Sequence, residues 1–177
     1  IQPSAPTSNL DLTLAVAFLK GEKFDLVVQK AVELGAKKLI PLDTKRADVK
    51  LKDAGKRLER WRKIVLEASK QSGRADLMQI ENPINFENFL KISVSQRLSG
   101  ENFILFAERG GESFSEIKSD KKITAVIGSE GGWEDSEIYS AKENGFQIIT
   151  LGDRILRAET AAIAIAAILQ HRFGDLN

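Results

Sequence analysis

Apolar and polar positions along the 177-residue chain alternate between two periods. The continuous apolar run Leu12–Leu19 (L-T-L-A-V-A-F-L) predicts a short strand buried on both faces. Next, Phe24, Val27, Val28, Ala31 and Leu34 recur at helical spacing and Gly35 supplies a stop, predicting a helix over Lys23–Leu34. A strand follows at Lys38–Leu42, then a long helix over residues 53–71 with Leu58, Trp61, Ile64, Val65 and Ala68 on its apolar stripe. Leu77–Ile80 reads as a strand and Phe86–Leu98 as a helix. The second half continues with strands at Asn102–Ala107 and Ile123–Ile127, and a helix at Asp135–Glu143 closed by Asn144-Gly145. A strand at Gln147–Leu151 and a strongly apolar helix at Glu159–Phe173 complete the pattern. Strands alternating with helices predict an α/β fold whose mainly parallel sheet is covered on both faces.

Composition narrows the chemistry. The longest uncharged apolar run, Ala161–Leu169, has nine residues, about half of the ~18 that a membrane span needs. With no Cys and a single His, His171, disulfides, thiolate metal sites and a multi-histidine metal centre are excluded within one chain. No metal is expected. Catalysis must then draw on carboxylates, Arg, Lys, hydroxyls, backbone groups or a bound cofactor. The net charge of +1 conceals an asymmetry: Lys37–Arg74 holds 13 Lys and Arg against 5 Asp and Glu, whereas the remainder holds 13 against 20. A basic segment in a slightly acidic body reads either as a polyanion contact or as a solvated helix face. The polar start Ile1–Asn9 lacks the basic and apolar regions of a signal peptide. Residues 1–11 are expected to be a linker from a preceding domain, and residues 12–177 the domain itself, in the cytoplasm.

Three predicted strands end in unusual loops, where ligands of open α/β sheets gather. They run Ala107-Glu108-Arg109-Gly110-Gly111, Gly128-Ser129-Glu130-Gly131-Gly132-Trp133 and Leu151-Gly152-Asp153-Arg154-Ile155-Leu156-Arg157-Ala158-Glu159. The glycine turn lets the backbone approach a flat ligand, although it matches neither the dinucleotide fingerprint nor the phosphate loop. In the third loop, Arg154 and Arg157 read as an anion or RNA clamp, or as structural partners in an Arg157–Glu159 or Arg154–Glu130 ion pair. Trp133 could cover a ligand or plug a helix start, and His171 reads as a surface or capping residue.

The segments I-G-S-E-G-G-W at 127–133, L-G-D-R-I-L-R-A-E-T-A at 151–161 and Q-H-R-F-G-D-L at 170–176 resemble the bacterial 16S ribosomal-RNA uridine N3-methyltransferase family of the SPOUT superfamily. K-F-D-L-V-V-Q-K-A-V-E-L-G at 23–35 and W-R-K-I-V-L-E-A-S-K-Q-S-G-R at 61–74 agree with it. The resemblance implies methyl transfer from S-adenosylmethionine to N3 of a uridine in 16S rRNA. It implies an α/β-knot, with a deep trefoil at the C-terminus, a homodimer, and a small PUA-like RNA-binding domain before this one. It also implies that the three loops form the cofactor pocket, through Ala107, Gly128, Glu130, Gly131, Gly132, Leu151, Gly152, Ile155, Leu156 and Ala158. Three positions depart from the family pattern: Ser129 stands for Pro, Lys70 for an acid and Ala158 for Thr.

Uridine N3 carries a proton and is a poor nucleophile until that proton leaves. Glu130 and Glu159 are candidate bases; Arg154, Arg157 and Arg74 are candidates for holding the base or its phosphate. The RNA is expected to meet Arg57, Arg60, Lys63, Gln71 and Arg74. Two other readings stand beside this one: a catalytically inert RNA-binding module of the same fold, and an α/β enzyme for another nucleotide.

Overall fold

The structure, a computed structural model, describes residues 8–50, 54–118 and 121–176. The expected helix start at residue 53, and the first seven residues of the expected linker, lie outside that range. Eight strands form one parallel sheet: β1 (Asp11–Ala17), β2 (Lys38–Asp43), β3 (Gln79–Ile80), β4 (Ile84–Asn85), β5 (Asn102–Phe106), β6 (Glu112–Ser113), β7 (Lys122–Ile127) and β8 (Gln147–Thr150). Their order is β3-β2-β1-β7-β5-β8-β6, and β4 joins the edge of β2 beyond β3. Among the described residues, α1 (Lys23–Glu33), α2 (Ala54–Ser72), α3 (Phe86–Leu98) and α4 (Asp135–Glu143) connect strands, and α5 (Ala158–Phe173) follows β8.

Strand alternation divides the core in two. Leu12, Leu14 and Val16 of β1, with Ile104 and Phe106 of β5, face α1, α2 and α5. Ala15, Phe103 and Leu105 face α3 and α4. On the first side, Trp61 of α2 packs at a tilt against Phe24 at 4.5 Å between ring centroids. Its Nε1 donates to Asp25 Oδ1 at 2.9 Å, so a buried indole leaves no donor unpaired. Trp61 is therefore core.

The two-residue strands β4 and β6, and the 3-10 turn Phe114–Glu116, were not anticipated, because two residues carry no readable period. Leu77, expected in a strand, is 57% exposed and precedes β3. Residues 8–11 are packed rather than loose: Leu10 is fully buried, Ser8 Oγ donates to Gln170 Oε1, and Asp11 begins β1.

The crossing of chain at one end of the sheet positions everything that follows. β8 lies between β5 and β6 and pairs with both, so the segment 107–111 joining β5 to β6 passes over the end of β8. The contact is close. A Cβ on Gly111 would sit 2.6 Å from the Ile149 carbonyl carbon and 2.7 Å from the Thr150 nitrogen.

Candidate active site

The carboxyl ends of β5, β7 and β8 bring the three loops together around one cavity of about 390 Å³. Ala107 and Glu108 come from the first loop; Gly128, Ser129, Glu130, Gly132 and Trp133 from the second. Leu151, Arg154, Ile155, Leu156, Arg157 and Ala158 come from the third, Lys23 of α1 closes one side, and Ile127, Ala161 and Ile165 supply apolar wall.

The two glycines of the turn separate in role. Gly132 lines the cavity at φ +69°, a conformation that favours glycine, and a Cβ there would meet Glu108 Oε1 at 2.9 Å. Gly131 faces away: an added Cβ would meet the Arg46 carbonyl oxygen at 2.9 Å, and its own carbonyl accepts from Arg46 Nη1 at 3.3 Å. Gly152, at φ +68°, turns the chain without lining the cavity. A Cβ on Gly128 would press on the Trp133 indole at 3.0 Å. Trp133 is itself buried, donating from Nε1 to the Phe106 carbonyl oxygen at 3.0 Å, which makes it a wall fixed by the fold.

The charged groups form a network that sequence spacing did not show. Lys23 Nζ lies 3.1 Å from Glu130 Oε1 and 4.0 Å from Glu159 Oε2, and the Lys20 N–H also donates to Glu130 Oε1 at 3.1 Å. Burial pushes the Glu130 carboxyl up, but its own N–H, the Lys20 N–H and the Lys23 ammonium together outweigh that and hold it below the ordinary carboxylate range. Glu159 Oε2 is buried without a hydrogen bond. Neither arginine of the third loop pairs with these acids. The guanidinium groups of Arg154 and Arg157 make no hydrogen bond or ion pair among the described residues, and both side chains are exposed on the cavity. Both structural pairings considered for them, Arg157–Glu159 and Arg154–Glu130, are therefore absent, and Lys23 takes their place.

Ser129, which stands where the resemblance has Pro, is 5% exposed and its Oγ has no partner. Ala158 opens α5 on the cavity wall. Among the described residues, Lys70 pairs only with Glu67, one turn away at an exposed 3.1 Å. His171 Nδ1 contacts the Leu176 carbonyl oxygen at 2.7 Å, a tie at the chain's end.

The basic helix α2 divides likewise. Lys63 and Gln71 are exposed and Arg57 is half-buried. Arg60, however, lies 2.6 Å from Asp25 of α1 and 3.3 Å from Glu22, which precedes that helix. Arg74 donates from Nη1 to the carbonyls of Val32 and Ala36 at 3.0 and 2.8 Å, capping the end of α1. Its guanidinium is thereby committed inside the fold and is not free to meet RNA. Neutralising Arg57 and Lys63 together is expected to flatten the log-affinity against log-salt slope for RNA by about one to two units. Arg60→Ala alone should leave that slope unchanged while lowering stability. A salt titration of RNA binding checks both.

A family model for the RNA methyltransferase domain matches residues 6–170. Ribosomal RNA small subunit methyltransferase E from Mesomycoplasma hyopneumoniae is 38% identical over 86% of this chain and 66% of its own. The crystal structure of ribosomal RNA small subunit methyltransferase E from Neisseria gonorrhoeae bound to S-adenosylmethionine superimposes with a TM-score of 0.89 at 33% identity, covering 99% of this chain and 72% of the other. The chain belongs to the ribosomal RNA small subunit methyltransferase E family. A methyltransferase from Legionella pneumophila, in complex with S-adenosylmethionine, superimposes with a TM-score of 0.86 at 32% identity, covering 96% and 69% of the two chains. The chain spans between about half and two thirds of the length of the first curated family members it matches. Within the family fold, Lys23 and Glu108 are the charged cavity residues that sequence reasoning missed. Glu108 sits inside a loop already singled out, whereas Lys23 and Glu130 are 107 positions apart and only the fold joins them.

Proposed function

We propose that the chain is the catalytic domain of an S-adenosylmethionine-dependent methyltransferase that acts on N3 of a uridine in 16S ribosomal RNA, as a cytoplasmic homodimer. The observation that carries this reading is the cavity into which all three loops converge, with two arginines at its rim that are unpaired among the described residues. Its residues fit the cofactor. Ile127, Ile155 and Leu156 would offer apolar surface to the adenine, and the Glu108 and Glu130 carboxylates on the cavity wall would balance the cofactor's positive charge. The buried Ser129 hydroxyl remains available to a polar group.

Bound S-adenosylmethionine would supply a methyl group on a positively charged sulfur. The chain's own residues position the uridine and manage its proton. Glu130, held below the ordinary carboxylate range, is a weak proton acceptor near neutrality. Lys23, Arg154 and Arg157 line the same space, so charge that develops on the uracil oxygens as the N3 proton leaves meets three cations. A knotted C-terminus is supported by β8 lying between β5 and β6 beneath their connecting segment. Dimerisation is supported by α5, where Ile163 and Ile168 remain half-buried beside the fully buried Ala166 and Leu169.

Calorimetry with S-adenosylmethionine tests the reading, with one cofactor expected per chain and no comparable heat from other nucleotides. An inert RNA-binding module would show no binding, and an enzyme for another nucleotide would prefer that ligand.

A further inference from the structure

We propose that a second cavity, one wall away from the first, receives an unpaired base of the RNA strand next to the target uridine. The proposal rests on the RNA-methyltransferase reading above. This cavity, of about 320 Å³, opens at the carboxyl end of β2, between the first turns of α3 and α4. It lies on the same edge of the sheet as the cofactor cavity. The two are separated by the glycine turn and by a pair of rings: Trp133 lines the first cavity, Phe86 lines the second, and their centroids are 5.0 Å apart.

The lining selects a neutral, hydrogen-bonding guest rather than a phosphate. Both lysines are already engaged. Lys50 Nζ donates to the Thr44 carbonyl oxygen at 3.1 Å and lies 3.6 Å from Asp43, while Lys45 Nζ donates to Ser136 Oγ at 2.9 Å and lies 3.5 Å from Glu134. Glu137 is 4% exposed and is held by the N–H groups of Lys45 and Glu134, each at 3.0 Å. Asp43, Glu87, Glu134 and Glu137 outnumber the two lysines, which leaves no net positive charge to draw a phosphate.

What remains unsatisfied is a hydroxyl. Thr44 lines the cavity, is 3% exposed, and its Oγ1 has no hydrogen-bond partner. Such a group costs stability unless something answers it. Phe86 and Leu90 add apolar surface, and Ser140 adds a second hydroxyl on the α4 side. Mixed polar groups over an apolar floor match a splayed-out base, whose edge both donates and accepts. Arg46 is exposed and bonded to the Gly131 carbonyl on the turn dividing the cavities, where the phosphate linking two nucleotides would pass.

The test uses the 177-residue chain, small ribosomal subunits lacking the methyl group as the probe, and two variants. Ser140→Phe fills the cavity and Thr44→Val removes only the lone hydroxyl. We expect subunit affinity to weaken about tenfold in the first and about threefold in the second, the scale of losing part of one base contact. S-adenosylmethionine affinity and melting temperature should match the parent, and Thr44→Val should be no less stable. Unchanged subunit affinity in either folded variant overturns the proposal. So does a shift in oligomeric state at unchanged subunit affinity, which would give the cavity to a second copy of the chain. If Ser140→Phe does not fold, Thr44→Val decides. Absent S-adenosylmethionine binding in the parent would overturn the enzymatic reading alone, because the subunit affinities still report on this cavity.

Discussion

Gly111→Ala is expected to lower the stability of the chain by about 2–4 kcal/mol, whereas Gly110→Ala, one position earlier, should cost only about 1 kcal/mol. The adjacent glycines differ in what constrains them. Gly110 has φ +74° and nothing within 4 Å of an added Cβ, so its substitution carries backbone strain alone. At Gly111 an added Cβ would lie 2.6–2.9 Å from three backbone atoms of Ile148, Ile149 and Thr150. Those atoms belong to a strand hydrogen-bonded on both edges, so no flexible side chain can move aside. Relief must come from parting the 107–111 segment from β8, which also breaks the bond from the Gly111 N–H to Thr150 Oγ1. That movement displaces Ala107 and Leu151 on the cofactor wall. Affinity for S-adenosylmethionine should therefore fall at least tenfold together with stability. Urea denaturation of both variants checks the first expectation and calorimetry the second; a Gly111→Ala protein as stable as Gly110→Ala would remove the close crossing from the account.

That crossing also marks the boundary of what was legible in the chain. Local signals survived folding nearly unchanged. Helix α3 has the expected limits, α4 runs Asp135–Glu143 as read, and the other long elements shift by one or two residues at their ends. The three loops that looked unsuited to plain structure do meet at one cavity, because strand ends on one edge of a parallel sheet are brought together by topology. Partnerships across the chain were not legible. Arg60 on the basic helix and Arg74 just past its end look like RNA contacts, yet the carbonyls and carboxylates that claim them lie in α1 or at its ends, some 35–42 positions away. Gly131 and Gly132 look equivalent in sequence, and only the path of the turn sends one toward Arg46 and the other toward the cavity. Lys23 was read as the first residue of an amphipathic helix, which it is. Its reach across to Glu130 and Glu159 follows from α1 beginning at the same sheet edge as the glycine turn.

The same network decides what Arg157 is free to do. Arg157→Ala is expected to lower the single-turnover methylation rate on small ribosomal subunits by about 10²–10³-fold, the scale for losing one electrostatic stabiliser of developing charge. A structural role would predict something else: loss of a partner, and with it stability. Here the guanidinium has no partner to lose among the described residues, since Glu159 is reached by Lys23 instead. Arg157 is the N-cap of α5, but the group that serves the helix is its backbone carbonyl, which accepts from the Ala161 N–H at 2.8 Å and is kept by alanine. Stability should then be nearly unchanged. Cofactor affinity should change far less than the rate, because Arg157 is one exposed side chain among the many backbone, apolar and charged groups that line the cavity. If the arginine acts on the uracil oxygens, its interaction strengthens only as the N3 proton departs, so the defect falls on the rate rather than on subunit affinity. Arg157→Lys should recover part of the rate by returning the charge without the planar fork. A folded Arg157→Ala enzyme that methylates at the parental rate would pass the role to Arg154 or Lys23, the other two cations on the cavity.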